Sequence, residues 1–481
     1  MKRSLLRLIA ASSFVITIVA GHASSRPRYG GTVRVLLRDR VNTLDPLGDE
    51  EHTVARDRVA GLIFETLTQM DALGQPHPRL AASWKTDPAK RSWQFNLRLA
   101  EFHDGSTVTA QDVVASWAKI STGWKVSALD KQTVTIETPS PVYHLPEMLA
   151  LPKFAVVRRN PDNTIVGTGP YKISDWRPGE RVVLSADEAY WGGRSFPDSI
   201  EIQLASAMRE QLLERQLGPY AAAELGVDQV RPREQNNQNI SYSRPSDLLV
   251  VLFLQPDSPN ARPGRKPVDS RVREALSDSI NRAAISNFIL QKKAVPANGL
   301  LPQWLTGYEF LFPGGMNLDR AKELRAEAAG LVIVSPITLA YDFADPVAKL
   351  VAERIAVDAR EAGVVVQPYG ESHVTTLSAR GGANINADAV LLRIPLLSLE
   401  PSVALSSTLD ELSLNDAQSS PLSAARPEDL FEIERKTLQN FRVVPVSHLS
   451  QAVWLSNSAH NWQQQPNGVW SLDQLWIEGA R

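Results

Sequence analysis

The sequence contains no cysteine. That excludes disulfides, thiolate nucleophiles and cysteine metal ligands, and it excludes a lipid anchor on an N-terminal cysteine. Histidine is sparse. The eight histidines (His22, His52, His77, His103, His144, His373, His448 and His460) are scattered and show no H-E-x-x-H spacing, so the residues point to no metal. Also missing are a G-x-S-x-G nucleophile elbow and a G-x-x-x-x-G-K-[ST] phosphate loop, and no catalytic residue or cofactor is expected. Neither sign of charge dominates, with 51 basic against 53 acidic residues and a net charge of −2, which argues against nucleic acid as a partner.

Long apolar runs are absent except at the start. MKRSLLRLIAASSFVITIVAGHASS sets Lys2, Arg3 and Arg7 before an apolar stretch from Leu8 to Ala20 and a small-residue site at Gly21-His22-Ala23. This is the pattern of a secretory signal peptide over residues 1–23, shorter than the roughly 20 apolar residues that span a bilayer. Cleavage after Ala23 removes three basic residues and no acidic one, leaving 458 residues with a formal charge of −5. Export without disulfides suits a bacterial periplasm.

What is present can bury a large core: 43% hydrophobic residues, enough for two or three domains. Its 32 prolines and 11 tryptophans predict irregular connections between aromatic-stapled elements. In SWQFNLRL, Trp93, Phe95, Leu97 and Leu99 alternate with polar residues, which predicts a strand with one buried face. Asp104-Gly105 predicts a turn after it, and Thr109 a helix cap, with Val113, Trp117 and Ile120 on the apolar face. ITLAYDFADPVAKLVAERIAVDAREAGVVVQP reads as strand, helix and strand. Asp345 caps the helix, Pro346 opens it, Val347, Leu350, Val351 and Ile355 share a face, and Gly363 closes it before a strand at 364–367. VDSRVREALSDSINRAAISNFIL predicts one helix capped by Asp269, with Val272, Leu276, Ile280 and Ala283 facing a core. QNNQN (235–239) and DSPNARPGRKP (257–267) read as connections.

Five segments in order resemble one family, the extracellular solute-binding proteins of the dipeptide, oligopeptide and nickel group that serve ABC importers. They are Leu44-Asp45-Pro46 after the first strand; Pro78, Leu80, Ala81, Ser83 and Trp84; EFHDGSTVTAQDVVASW, residues 101–117; GTGPYKI with AYWGG; and DSRVREALSDSINRAAI with PANGLLP. The resemblance implies an α/β fold of the periplasmic-binding-protein type (type II, cluster C), a clamp of two lobes with an extra small inserted domain. It further implies domain I from 24–61, 166–256 and 446–481, domain II from 62–165 and domain III from 257–445. The expected role is a monomeric periplasmic receptor that closes on a small molecule or peptide and delivers it to an ABC permease in the inner membrane. Sensing or chaperoning on the same fold is the alternative. An exported hydrolase using His103, Asp104 and a distant serine is the reading from another class, against which the pair is expected to shape a turn.

The resemblance places ligand contacts just before the L-D-P turn, at Val41, Asn42 and Thr43. Trp124 and Trp304, aromatics in irregular stretches, are further candidates, as is Tyr143, and Arg393 suits a ligand carboxylate. In peptide-binding members, W-x-x-D-Y-x-[DE]-P supplies an aspartate for the ligand ammonium. The matching stretch here is IPLLSLEP, keyed on Glu400-Pro401, so that Leu397 replaces the aspartate, with Asp388, Glu400 and Asp410 as substitutes under another register. A leucine cannot pair with a buried ammonium. Together with a shortened excursion after Trp117, this predicts an altered pocket and a ligand other than a conventional free peptide.

Overall fold

The computed structural model describes residues 29–478, apart from 49–52, 121, 163, 205–219, 227–238, 256–265, 309–311, 313, 331–334, 373, 375–384 and 415–419. The signal-peptide reading of 1–23, most of QNNQN and most of DSPNARPGRKP lie outside the described residues.

Strand Asp247–Phe253 explains the six-stranded one of the two main sheets. DLLVVLF is apolar after its first residue and buried along its whole length, the composition of a strand covered on both faces. Leu249, Val251 and Phe253 enter one core with helices Ser270–Ser279, Leu318–Ala329 and Pro346–Glu361. Leu248, Val250 and Leu252 enter a second core with helices Pro401–Glu411 and Pro427–Leu438. The sheet order is Ala294–Pro296, Val443–Leu449, Asp247–Phe253, Ala389–Ile394, Ile337–Asp342, Val366–Glu371. Its last three strands are parallel.

The other main sheet runs Tyr171–Arg177, Arg181–Ala186, Ser199–Gln203, Thr32–Leu36, Ala222–Leu225, Ala452–Leu455, Ile240–Tyr242, with parallel pairs on both sides of Thr32–Leu36. Helix Val54–Ile63 packs on it. Between these lobes the described chain crosses twice, at 243–246 and at 450–451. A third, antiparallel sheet, Ala81–Thr86, Ser92–Leu97, Thr133–Glu137, Lys125–Ala128, forms a small unit with its own core.

The stretch 92–117 folds as strand, turn and capped helix. Trp93, Phe95 and Leu97 are buried, and Gly105 takes φ +81° in the turn. The Asp112 carboxylate accepts from the Thr109 amide (2.9 Å) and hydroxyl (2.6 Å) at the start of helix Ala110–Trp117. Leu99 is 76% exposed, because the strand stops at Leu97. Ile120 lies beyond the helix in a turn, packed at the edge of the small core.

Two helix expectations need correction. Leu350 of Pro346–Glu361 is 50% exposed, and the buried face is carried by Val347, Ala348, Val351, Ala352, Ile355, Ala356 and Ala359. The following strand is Val366–Glu371. The helix capped by Asp269 ends at Ser279, and Asn281 caps a new turn by accepting from the Ala284 amide at 2.9 Å. Ala283 is exposed as a result. The break turns Arg282 inward, where it donates to the Pro445 (2.8 Å) and Ser277 (2.9 Å) carbonyls, and burial lowers its pKa to about 10. A continuous helix would leave those carbonyls without that donor.

Glu434 makes a pH-dependent contribution to the same lobe. Its fully buried carboxylate accepts from the amides of Leu300 (2.5 Å) and Leu301 (3.2 Å), and burial lifts its pKa from 4.5 to about 7 despite those bonds. A folded-state pKa above the unfolded value means that the folded form holds the proton more tightly. This group's share of stability is therefore present below pH 4.5 and lost as pH rises through 7. Glu434→Gln, compared with the parent by thermal unfolding at pH 5 and pH 8, is expected to gain relative stability at pH 8.

Candidate functional site

In open α/β sheets ligands settle outside the carboxyl ends of parallel strands. Here the two lobes turn such ends toward each other. Beyond the end of Thr32–Leu36 come Arg38 and Asp39, beside Glu224 of Ala222–Leu225. The opposing lobe contributes Arg393 near the end of Ala389–Ile394, and Asp345 and Phe343 after Ile337–Asp342. Phe343 is 77% exposed. Asp39 has solvent-exposed surface, yet burial lifts its pKa from 3.8 to about 6, with Glu224 adding to the rise and Arg393 opposing it. Asp39 is thus exposed, beside the Glu224 carboxylate and within electrostatic reach of an arginine of the other lobe.

One polar chain runs across the hinge beneath this cleft. The Arg38 amide donates to Glu224 Oε2 (3.2 Å), and Arg58 Nη1 pairs with Glu224 Oε1 (2.7 Å). Arg58 Nη2 donates to Gln451 Oε1 (2.5 Å), whose Nε2 donates to Asp247 Oδ1 (2.9 Å). Arg393 Nε (3.1 Å) and Nη2 (2.7 Å) donate to Asp247 Oδ2. Burial works against the Arg393 charge, but Asp247, Asp345 and Glu224 outweigh it and hold the pKa above the usual guanidinium value. Asp247 is almost wholly buried, while the Arg393 side chain is 36% exposed. Arg393 is thus anchored by one edge and remains a permanent cation on the cleft wall.

Two charged walls, a hinge of two short crossings and a fixed guanidinium suit capture of a polar solute, and among the described residues no group of three or more metal-ligating side chains gathers. The profile of the family described as "Bacterial extracellular solute-binding proteins, family 5 Middle" matches residues 75–385, more than half of the chain. The chain belongs to this family. It is 26% identical over 434 residues to the periplasmic oligopeptide-binding protein of Salmonella typhimurium, covering 78% of each. It is 28% identical over 287 residues to the nickel-binding protein of Staphylococcus aureus, covering 55% of this chain and 56% of the other. Its fold is that of solved binding proteins. The Staphylococcus aureus nickel-binding protein in complex with Ni(L-His)2 superposes with TM-score 0.76 at 20% identity, covering 93% of this chain and 100% of the other. A periplasmic binding protein from Agrobacterium tumefaciens in complex with agropinic acid superposes with TM-score 0.79 at 19% identity, covering 94% and 99%.

This family 5 chain does not bring the eight residues singled out from sequence to one place. Arg393 stands on the cleft wall, Val41 is 1% exposed in the core of the first lobe, and Asn42 is exposed with Oδ1 close to Gly179. Thr43 Oγ1 accepts from the Asp45 amide at 3.2 Å. Trp124 stacks on Phe154 in the small unit, with centroids 5.7 Å apart at 8°. Trp304 donates to the Pro245 carbonyl (2.7 Å) under the Arg244 guanidinium, beside the hinge. Tyr143 is 38% exposed, with its amide bonded to the Leu422 carbonyl. Leu397 packs against the core of the small unit. The residues offered in place of Leu397 under another register are engaged as well. Asp388 accepts from Thr338, Glu400 caps helix Pro401–Glu411 and Asp410 pairs with Lys153.

His103 and Asp104 shape the chain locally. Asp104 accepts from the Ser106 amide (2.9 Å), and His103 Nε2 bonds the Gly169 carbonyl (2.9 Å), while burial lowers the imidazole pKa and favours the neutral form. Sequence reasoning missed Asp39, Arg58, Glu224, Asp247 and Gln451. The one local signal was the alternating charge of Arg38-Asp39-Arg40 directly after an apolar strand.

Proposed function

We propose that this family 5 protein is a periplasmic receptor that closes its two lobes on a small peptide-like solute carrying an anionic group, and presents the closed form to an ABC permease. The observation that carries this reading is Arg393, a guanidinium tied to Asp247 along one edge and open to the cleft along the rest. Such a group is preorganised to take a carboxylate or a related oxyanion. Relatives support a broad ligand range, since their names and complexes include oligopeptides, nickel-histidine and agropinic acid on one fold, so the residues of the cleft and not the fold set the choice. Leu397 packs against the core of the small unit, and an apolar side chain at that position supports a solute held by a contact other than the ammonium pairing of peptide-binding members.

Mass spectrometry of small molecules retained by the protein extracted from periplasm tests this directly. The expected result is an anionic solute that raises the melting temperature on re-addition. Arg393→Ala is expected to weaken its binding by at least about tenfold, the loss of one charge-assisted hydrogen bond. A retained solute without an anionic group, or unchanged affinity in the variant, would sink the reading.

A further inference from the structure

The lobes also meet at a second surface. It is formed by the segment from Leu396, helix Pro401–Glu411 and the turn Pro421–Ser423 against the small antiparallel unit. The helix has two buried faces. Ala404, Leu405, Leu409 and Leu412 enter the core of their own lobe, whereas Val403, fully buried, belongs with Leu422 to the core of the small unit, and Leu397 packs on the same core. Opening the cleft at this surface returns those aliphatic groups to water, which is unfavourable.

Polar contacts ring the apolar ones. Lys153 Nζ pairs with Asp410 Oδ2 at 2.8 Å. Ser423 Oγ donates to the Pro141 carbonyl at 2.9 Å, and the Tyr143 amide donates to the Leu422 carbonyl at 3.3 Å. His144 lies between Glu147 of its own unit (3.4 Å) and Glu400 of the other lobe (3.6 Å). Gly74 takes φ +79° where a Cβ would stand 3.0 Å from Leu399 Cβ, so the fit there needs glycine. Asn467 Nδ2 donates to the Leu396 carbonyl at 3.0 Å.

We propose that helix Pro401–Glu411 and the turn Pro421–Ser423 form a latch that holds the cleft closed on the small unit without any solute. All the contacts above join protein to protein, so none of them needs a bound solute. The latch makes the closed form the resting state. A solute then meets a receptor whose competent conformation is already populated, and its affinity is not reduced by the cost of closing. Exchange of solute becomes limited by release of the latch. The inference rests on the two-lobed clamp but on no particular ligand.

Because the chain has no native cysteine, a pair of spin labels at Lys131→Cys in the small unit and Lys322→Cys on helix Leu318–Ala329 reports the spacing of the lobes. The full chain is unfolded and refolded beforehand to strip any solute. One narrow distance population is expected for the parent. Asp410→Lys, which faces Lys153 with a like charge, is expected to shift it to longer distance, and Lys153→Asp combined with Asp410→Lys to restore it. Val403→Asp is expected to shift it further. If Val403→Asp fails to fold, the charge pair still decides the matter, since both side chains are about one third exposed. A broad or long distribution in the parent overturns the proposal, and so does an Asp410→Lys variant with the parent's distances. The readout uses no solute, so failure to find an anionic ligand would overturn the functional reading and leave the latch standing.

Discussion

Glu65→Ala is expected to lower the unfolding free energy by about 3–5 kcal/mol, the cost of removing one partner from a buried ion pair. Glu65 has no exposed surface. Its carboxylate accepts from Arg79 Nε (3.0 Å), Tyr190 OH (2.8 Å) and Trp191 Nε1 (2.9 Å). Three elements therefore converge on one side chain: the exit of helix Val54–Ile63, the strand of the P-x-L-A-x-S-W signature and the A-Y-W-G-G turn. Alanine leaves three donors without their acceptor, and the Arg79 charge, 20% exposed, without its partner. Arg98, whose guanidinium lies 3.6 Å from the Trp191 ring centre, loses the anchor that fixes that ring. Glu65→Gln keeps the shape and one acceptor, and is expected to cost less than half as much. Urea unfolding checks both, provided that the m value matches the parent. An alanine variant within about 1 kcal/mol of the parent would mean that water replaces the carboxylate, contrary to its burial.

Glu65 also shows where the sequence is legible and where it is not. Local order is readable because its causes are local: alternation in SWQFNL, Asp-Gly in the turn, Thr109 with Asp112 at the cap, and Asp345-Pro346 to Gly363 around one helix. The family is readable for a related reason, since its marks are short and keep their order. The cleft is different. Its polar chain joins positions 58, 224, 247, 393 and 451, which no window of sequence holds together. Arg393 could be singled out by its chemistry, whereas Asp247, the residue that aims it, opens an apolar strand and reads as a strand end. Trp124 shows that an irregular stretch can still be a packed one. Helix continuity through Ile280 and Asn281 failed for a tertiary reason. The hydrogen bonds of buried Arg282 decide the backbone there, against local propensity.

The same tertiary logic gives the second large effect, at the crossing Gly167-Thr168-Gly169-Pro170. This crossing lies directly on the carboxyl end of helix Val54–Ile63. The Gly169 amide donates to the Ile63 carbonyl at 2.8 Å, the His103 amide donates to the Gly167 carbonyl at 2.9 Å, and His103 Nε2 closes on the Gly169 carbonyl. A Cβ on Gly167 would overlap the Ile63 carbonyl oxygen, far inside van der Waals contact, and one on Gly169 would stand 2.5 Å from the Leu62 oxygen. Both obstacles are backbone, so no side chain can swing aside. Gly167→Ala is therefore expected to destabilise by roughly 3 kcal/mol or more, the upper end of overpacking costs. Gly61→Ala, on the same helix, meets nothing within 4 Å and is expected to stabilise by about 0.5–1 kcal/mol through lower entropy of the unfolded chain. Opposite shifts in melting temperature from two Gly→Ala changes separated by one crossing isolate close approach as the cause. Equal shifts would assign the effect to glycine content alone. His103→Ala, which removes one neutral hydrogen bond from the crossing, is expected to cost about 1 kcal/mol, so the histidine of the F-H-D-G motif acts as a clasp between the small unit and the first lobe.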